Sequence, residues 1–65
     1  MNFLLKALIK KLEGQIEMAK ANILVYTRNP AGIGEHSDIV EAVEVEIAKI
    51  AEAEDKISAI KNHFK

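Results

Sequence analysis

Asn29-Pro30-Ala31-Gly32-Ile33-Gly34-Glu35-His36 is the one stretch of this 65-residue chain where proline and glycine gather. Pro30 disfavours α geometry at Asn29, and Gly32 and Gly34 permit the positive φ that a reversing chain needs. On either side of this stretch the apolar residues run as mirror images. Ile23 is matched with Val43, Ala19 with Ile47, Ile16 with Ile50 and Ile9 with Ile57, while Leu5 comes close to Ile60. In each match the two residue numbers sum to about 66, which places the mirror at Ile33. Two antiparallel helices joined by a turn require this symmetry.

Working outward, Leu5, Ile9, Leu12, Ile16, Ala19, Ile23 and Tyr26 alternate spacings of four and three. Read as heptads, Ile9, Ile16 and Ile23 take position a, and Leu5, Leu12, Ala19 and Tyr26 take position d. Gly14 falls at position f, away from the seam, where it costs about 1 kcal/mol in helix propensity without opening the core. The second half repeats the pattern with Ile39/Val40, Val43, Ile47, Ile50, Ala53, Ile57, Ile60 and Phe64. Val43-Glu44-Val45-Glu46-Ile47 alternates like a strand, but the 3/4 spacing continues on both sides of it in an Ala-, Glu- and Lys-rich context, so a helix is expected.

These patterns predict an all-α chain: one domain over residues 1–65, with helix 1 over about 2–28, a loop over 29–36 and helix 2 over about 37–63. Ser37 or Asp38 is a natural N-cap for helix 2, Asp38 and Glu41 suit its positive end, and Lys61, His63 and Lys65 suit its negative end. Glu52 and Lys56 form an i,i+4 pair in the favoured order. Across the seam, Ala19 opposite Ile47 and Leu12 opposite Ala53 set small against large, as close packing demands.

Composition narrows the function classes. Cysteine is absent, which removes disulfides, thiolate zinc sites and thiol chemistry, and His36 and His63 are too few for a closed structural metal site. Chains this short usually need a disulfide, a metal or partner subunits to be stable, so self-association is the remedy left. Apolar residues off the seam point the same way: Phe3, Leu4, Leu8, Met18, Leu24 and Val25 on helix 1, and Ala42, Val45, Ala48, Ala51 and Ala59 on helix 2. The predicted assembly is a homodimer or higher homo-oligomer, with two hairpins forming an antiparallel four-helix bundle. A net charge of −1 gives no bulk attraction to nucleic acid. No apolar run is long enough to cross a bilayer, and Lys6, Lys10 and Lys11 interrupt any signal-like start. The expected setting is cytoplasmic.

Residues 29–42, Asn-Pro-Ala-Gly-Ile-Gly-Glu-His-Ser-Asp-Ile-Val-Glu-Ala, followed by Ile50-Ala51-Glu52-Ala53-Glu54-Asp55-Lys56, resemble a recurring pattern in short, uncharacterised, phage-encoded helical-hairpin proteins. The resemblance covers roughly the C-terminal two-thirds of the chain and leaves out the stretch through Lys11. Related sequences carry proline where this chain has Ser37. The resemblance implies viral origin and a setting in the host cytoplasm or the virion, and it implies no chemistry.

Few residues suggest chemistry. Gly32-Ile33-Gly34 beside a helix start has the look of a phosphate cradle, but the Lys-Ser/Thr of a P-loop is missing, no strand precedes it, and Glu35 and Asp38 repel anions. A turn is the better reading. Glu35, His36 and Asp38 are metal-capable, yet neighbours in sequence do not converge on one ion and no second cluster completes a site. The carboxylates of helix 2 read as a solvated face. Glu46 is the exception, flanking the seam between Val43 and Ile50 within reach of Lys20. With no nucleophile–base pair and no cofactor motif, a non-enzymatic structural or interaction protein is expected, with no cofactor and an unidentified protein partner. The alternative is a membrane-surface module using residues 1–12, where Phe3, Leu4 and Leu8 accompany Lys6, Lys10 and Lys11. Finally, the open end gathers lysines and the loop end gathers acids, which favours antiparallel over parallel pairing of two copies.

Overall fold

The computed structural model describes residues 2–28 and 38–65, which form two helices, α1 (Phe3–Arg28) and α2 (Ile39–His63), and no strand. The expected turn over 29–36, the Glu35–His36 pair and the choice of Ser37 as a cap lie outside the described residues. Val43-Glu44-Val45-Glu46-Ile47 is helical. The 26 residues of α1 span about 39 Å at 1.5 Å per residue, and the molecule is a rod of 46 × 15 × 13 Å.

Short polar side chains start both helices. Asn2 Oδ1 accepts the Leu5 N–H at 2.9 Å, and the Asn2 carbonyl accepts the Lys6 N–H at 3.0 Å. Asp38 does the same for α2, its Oδ1 accepting the Glu41 N–H at 2.8 Å and its carbonyl the Ala42 N–H at 3.1 Å. Each cap satisfies amides that have no partner within the helix. Near the end of α1 the Thr27 hydroxyl donates to the carbonyls of Ile23 at 2.9 Å and Leu24 at 3.3 Å. At the end of α2 the Phe64 N–H still donates to the Ile60 carbonyl at 2.9 Å, but Phe64 itself has left helical geometry at φ −132°, ψ 42°.

The two helices pack antiparallel along the expected seam. Leu12, Ala53 and Ile60 form one buried cluster, with Leu5, Ile9, Ile16 and Ile57 packed against it. Low-numbered residues of α1 meet high-numbered residues of α2, as a hairpin requires. Ala19 is the most buried of all at 1% exposure, so the helices close on small side chains at Ala19 and Ala53. Ile23, Tyr26, Val43 and Ile50 are half-buried.

Two residues expected at the seam lie elsewhere. Ile47 is 51% exposed, and the buried residue beside it is Glu46 at 7%. The reason is the regularity of the heptad. Counting back from Ile60 in strict steps of three and four gives Ile57, Ala53, Ile50, Glu46, Val43 and Ile39, so hydrophobicity favours Ile47 but periodicity selects its neighbour. Ile47 is turned 100° around the helix from that line. Phe64 is 56% exposed, since α2 ends at His63 and its ring is carried off the seam, edge-on to His63 at 6.5 Å.

Among the described residues there are four ion pairs, Lys10–Glu13 at 3.6 Å, Lys20–Glu17 at 3.2 Å, Lys49–Glu46 at 3.1 Å and Lys56–Glu52 at 3.0 Å, and all but Lys49–Glu46, whose carboxylate is buried, lie on the outside. Lys56–Glu52 is the pair expected from spacing. Those whose two partners are exposed contribute only tenths of a kcal/mol each.

Candidate functional site: a polar break in the seam

One carboxylate interrupts an otherwise apolar seam. Glu46 stands on the inner line of α2, one heptad from Ala53, and faces α1 near the level of Ala19. Asn22, three residues beyond Ala19 on α1, donates its Nδ2 to Glu46 Oε1 at 3.0 Å. From the next turn of α2, Lys49 Nζ donates to Oε2 at 3.1 Å. Both carboxylate oxygens are therefore engaged, one across the helix–helix contact and one along the helix. Among the described residues no buried side-chain nitrogen or oxygen lacks a partner. The expected contact with Lys20 is not made, because Lys20 turns to Glu17 on its own helix.

The hydrogen bond from Asn22 does most to hold the Glu46 carboxyl below its ordinary value, with the Lys49 hydrogen bond and charge adding to it against the desolvation that raises it. A folded value below the unfolded one means the ionised group stabilises the fold above the ordinary glutamate range. That contribution disappears as pH falls through the lowered value. The Glu46→Gln variant should therefore melt below the parent at neutral pH, and the gap should close as the pH falls below the ordinary glutamate range. Thermal melts by circular dichroism across that range read the effect, and a gap that stays constant with pH would contradict it.

The Glu46–Asn22 pair lies at the floor of an open groove of about 340 Å³. Met18 and Gln15 form the α1 wall, Lys49, Glu52 and Lys56 the α2 wall, and Ala19 and Ala53 the base. A second, shallower groove of about 460 Å³ runs on the opposite side, past Glu13, Ile16, Glu54, Ile57 and Lys61. Among the described residues no three of His, Cys, Asp and Glu come close enough to hold a metal ion, and no helix is long and apolar enough to cross a membrane. The first groove is a polar, charge-lined trough beside exposed Met18.

Asn22 is the residue that sequence reasoning missed. It sits one position before the seam residue Ile23, where a polar side chain has no evident task until Glu46 is known to point inward. No protein-family model, curated protein or solved structure matches this chain.

Proposed function

We propose that the chain is a non-enzymatic structural or interaction module, a helical hairpin that pairs with a second copy into an antiparallel four-helix bundle and presents a charged outer surface to a protein partner. The observation that supports this is how little the single copy covers. Ten large hydrophobic side chains are exposed among the described residues, and only two large ones, Leu12 and Ile60, are buried. A rod with one buried stripe per helix is half of a bundle. Sedimentation equilibrium of the full chain at micromolar concentration should return the mass of two copies. A mass of 7.2 kDa throughout that range would contradict the reading.

The likeness of residues 29–42 and 50–56 to phage-encoded proteins supports a viral origin and a place in the host cytoplasm or the virion. A second reading has its own observation. Phe3 and Leu4 are 77% and 67% exposed on the same helix end as Lys6, Lys10 and Lys11, the composition of a membrane-surface helix. Co-sedimentation of the full chain with anionic vesicles, lost in the Phe3→Ser/Leu4→Ser variant, would favour it over the bundle.

A further inference from the structure

Resting on the self-association just proposed, we infer that the second copy docks on one face only, the face of the Glu46–Asn22 groove. It docks with α1 antiparallel to α1 and Gln15 at the two-fold axis.

Area is the first argument. The chain exposes 5014 Å², whereas a compact protein of its mass exposes about 4100 Å². The excess of roughly 900 Å² is close to the 800 Å² or so that one partner gives up in a standard interface. The surplus is of the size that one standard interface covers.

The choice of face follows from two stripes on α1. Residues 4, 8, 11, 15, 18, 22 and 25 recur at alternating spacings of four and three, so they share one side of the helix. Gln15, Met18 and Asn22 of this stripe line the Glu46 groove, and Leu4, Leu8 and Val25 extend it to both ends. Lys11 is its one charge. The stripe on the other side, residues 3, 6, 10, 13, 17, 20 and 24, carries Lys6, Lys10, Glu13, Glu17 and Lys20 between Phe3 and Leu24. With α1 docked on α1, the nearly uncharged first stripe forms the interface core, from which charge is excluded; Lys49, Glu52 and Lys56 of the α2 wall fall at its rim, and the second stripe faces solvent.

Orientation follows from charge. The open half, residues 1–14 and 52–65, carries six lysines against four acids. In the loop half, residues 15–51, Lys20, Arg28 and Lys49 stand against Glu17, Glu35, Asp38, Glu41, Glu44 and Glu46. A two-fold axis across the rod lays each positive half over a negative one, and a parallel arrangement sets like over like. The stripe is also self-complementary in the antiparallel sense. Turned about Gln15, Leu4 meets Val25 of the second copy, Leu8 meets Asn22, and the stem of Lys11 lies along Met18.

The chain has no cysteine, so single-cysteine variants report position directly. With a short bismaleimide at micromolar protein, Gln15→Cys should link to its own copy at least about tenfold faster than Glu13→Cys on the opposite side, because the two-fold axis raises its effective concentration. In an equimolar mixture, Leu4→Cys should link to Val25→Cys in preference to another Leu4→Cys. Faster linking at Glu13, or equal rates at both sites, overturns the face. Preferential Leu4–Leu4 linking overturns the orientation. Sedimentation of the same samples separates the two levels: dimers with the wrong linking pattern defeat this inference alone, and monomers defeat the self-association beneath it.

Discussion

Leu12→Asp should abolish the cooperative unfolding transition and leave a largely disordered chain. Leu12 is 2% exposed and sits in the one cluster that ties the ends of both helices together, with Ala53 and Ile60. The substitution removes about 2–5 kcal/mol of buried leucine and places a carboxylate in a cluster with Ala53 and Ile60, packed by Leu5, Ile9, Ile16 and Ile57. An unpaired buried charge costs about 3–5 kcal/mol in its own right. A chain of 65 residues has about 3–10 kcal/mol in all, so a combined loss of about 5–10 kcal/mol is of the same size as the whole. Lys10→Asp, two residues away, with a side chain 83% exposed on the solvent-facing side, changes charge by more and should keep a sharp melt. A native-like transition in Leu12→Asp, followed by far-ultraviolet circular dichroism, would place the seam elsewhere.

Ile60→Ala should cost about 2–4 kcal/mol, and Ile47→Ala less than about 0.5 kcal/mol. The two substitutions delete the same atoms from the same helix. They differ only in where the helix turns them: Ile60 is 6% exposed in the core cluster and Ile47 is 51% exposed. The prediction holds in the dimer as well, since Ile47 lies off the groove face on which the second copy is proposed to dock. Urea unfolding of the two variants reads the difference as a shift in midpoint at constant slope. Comparable losses would mean that α2 is rotated by one residue, with Ile47 inward and Glu46 outward.

Much of the hairpin is legible in the chain because heptad spacing and the Pro/Gly stretch are local signals that agree with the global pairing. Leu5, Ile9, Leu12 and Ile16 alternate with no competing choice, and the structure packs all four on one line. At Glu46 and Ile47 the two kinds of signal diverge. Hydrophobicity points to Ile47 and period to Glu46, and period wins because one residue inserted out of phase would turn every later side chain off the seam. The burial of Glu46 depends on Asn22, which lies 24 positions away and carries no local mark of its role. Residue type and position offer Ser37 or Asp38 as the cap of α2, and Asp38 takes the role, whereas Asn2, which the spacing counts within helix 1, caps it because the first turn of α1 begins at Phe3. Function is not written in either level, since the described surface holds no catalytic grouping and its most specific feature is a contact between two helices of the same chain.

Glu46 also sets a condition on any bundle. A carboxylate at the seam is held by Asn22 and Lys49, and a docked second copy covers that pair further. Buried polar layers are often kept because they select one register among several that hydrophobic contact alone would allow. Here the pair lies nearer the loop end than the open end, so an antiparallel dimer contains two such layers placed symmetrically about Gln15.

The account stands on a chain that folds back within one copy and then pairs with another. Isotope-filtered nuclear Overhauser spectra of a dimer mixed from labelled and unlabelled copies separate those two kinds of contact. Methyl contacts between Leu12 and Ala53 should appear within a single copy, and contacts between Leu4 and Val25 only between copies. Leu12–Ala53 contacts found only between copies would mean that each chain is one extended rod, and would contradict the hairpin itself.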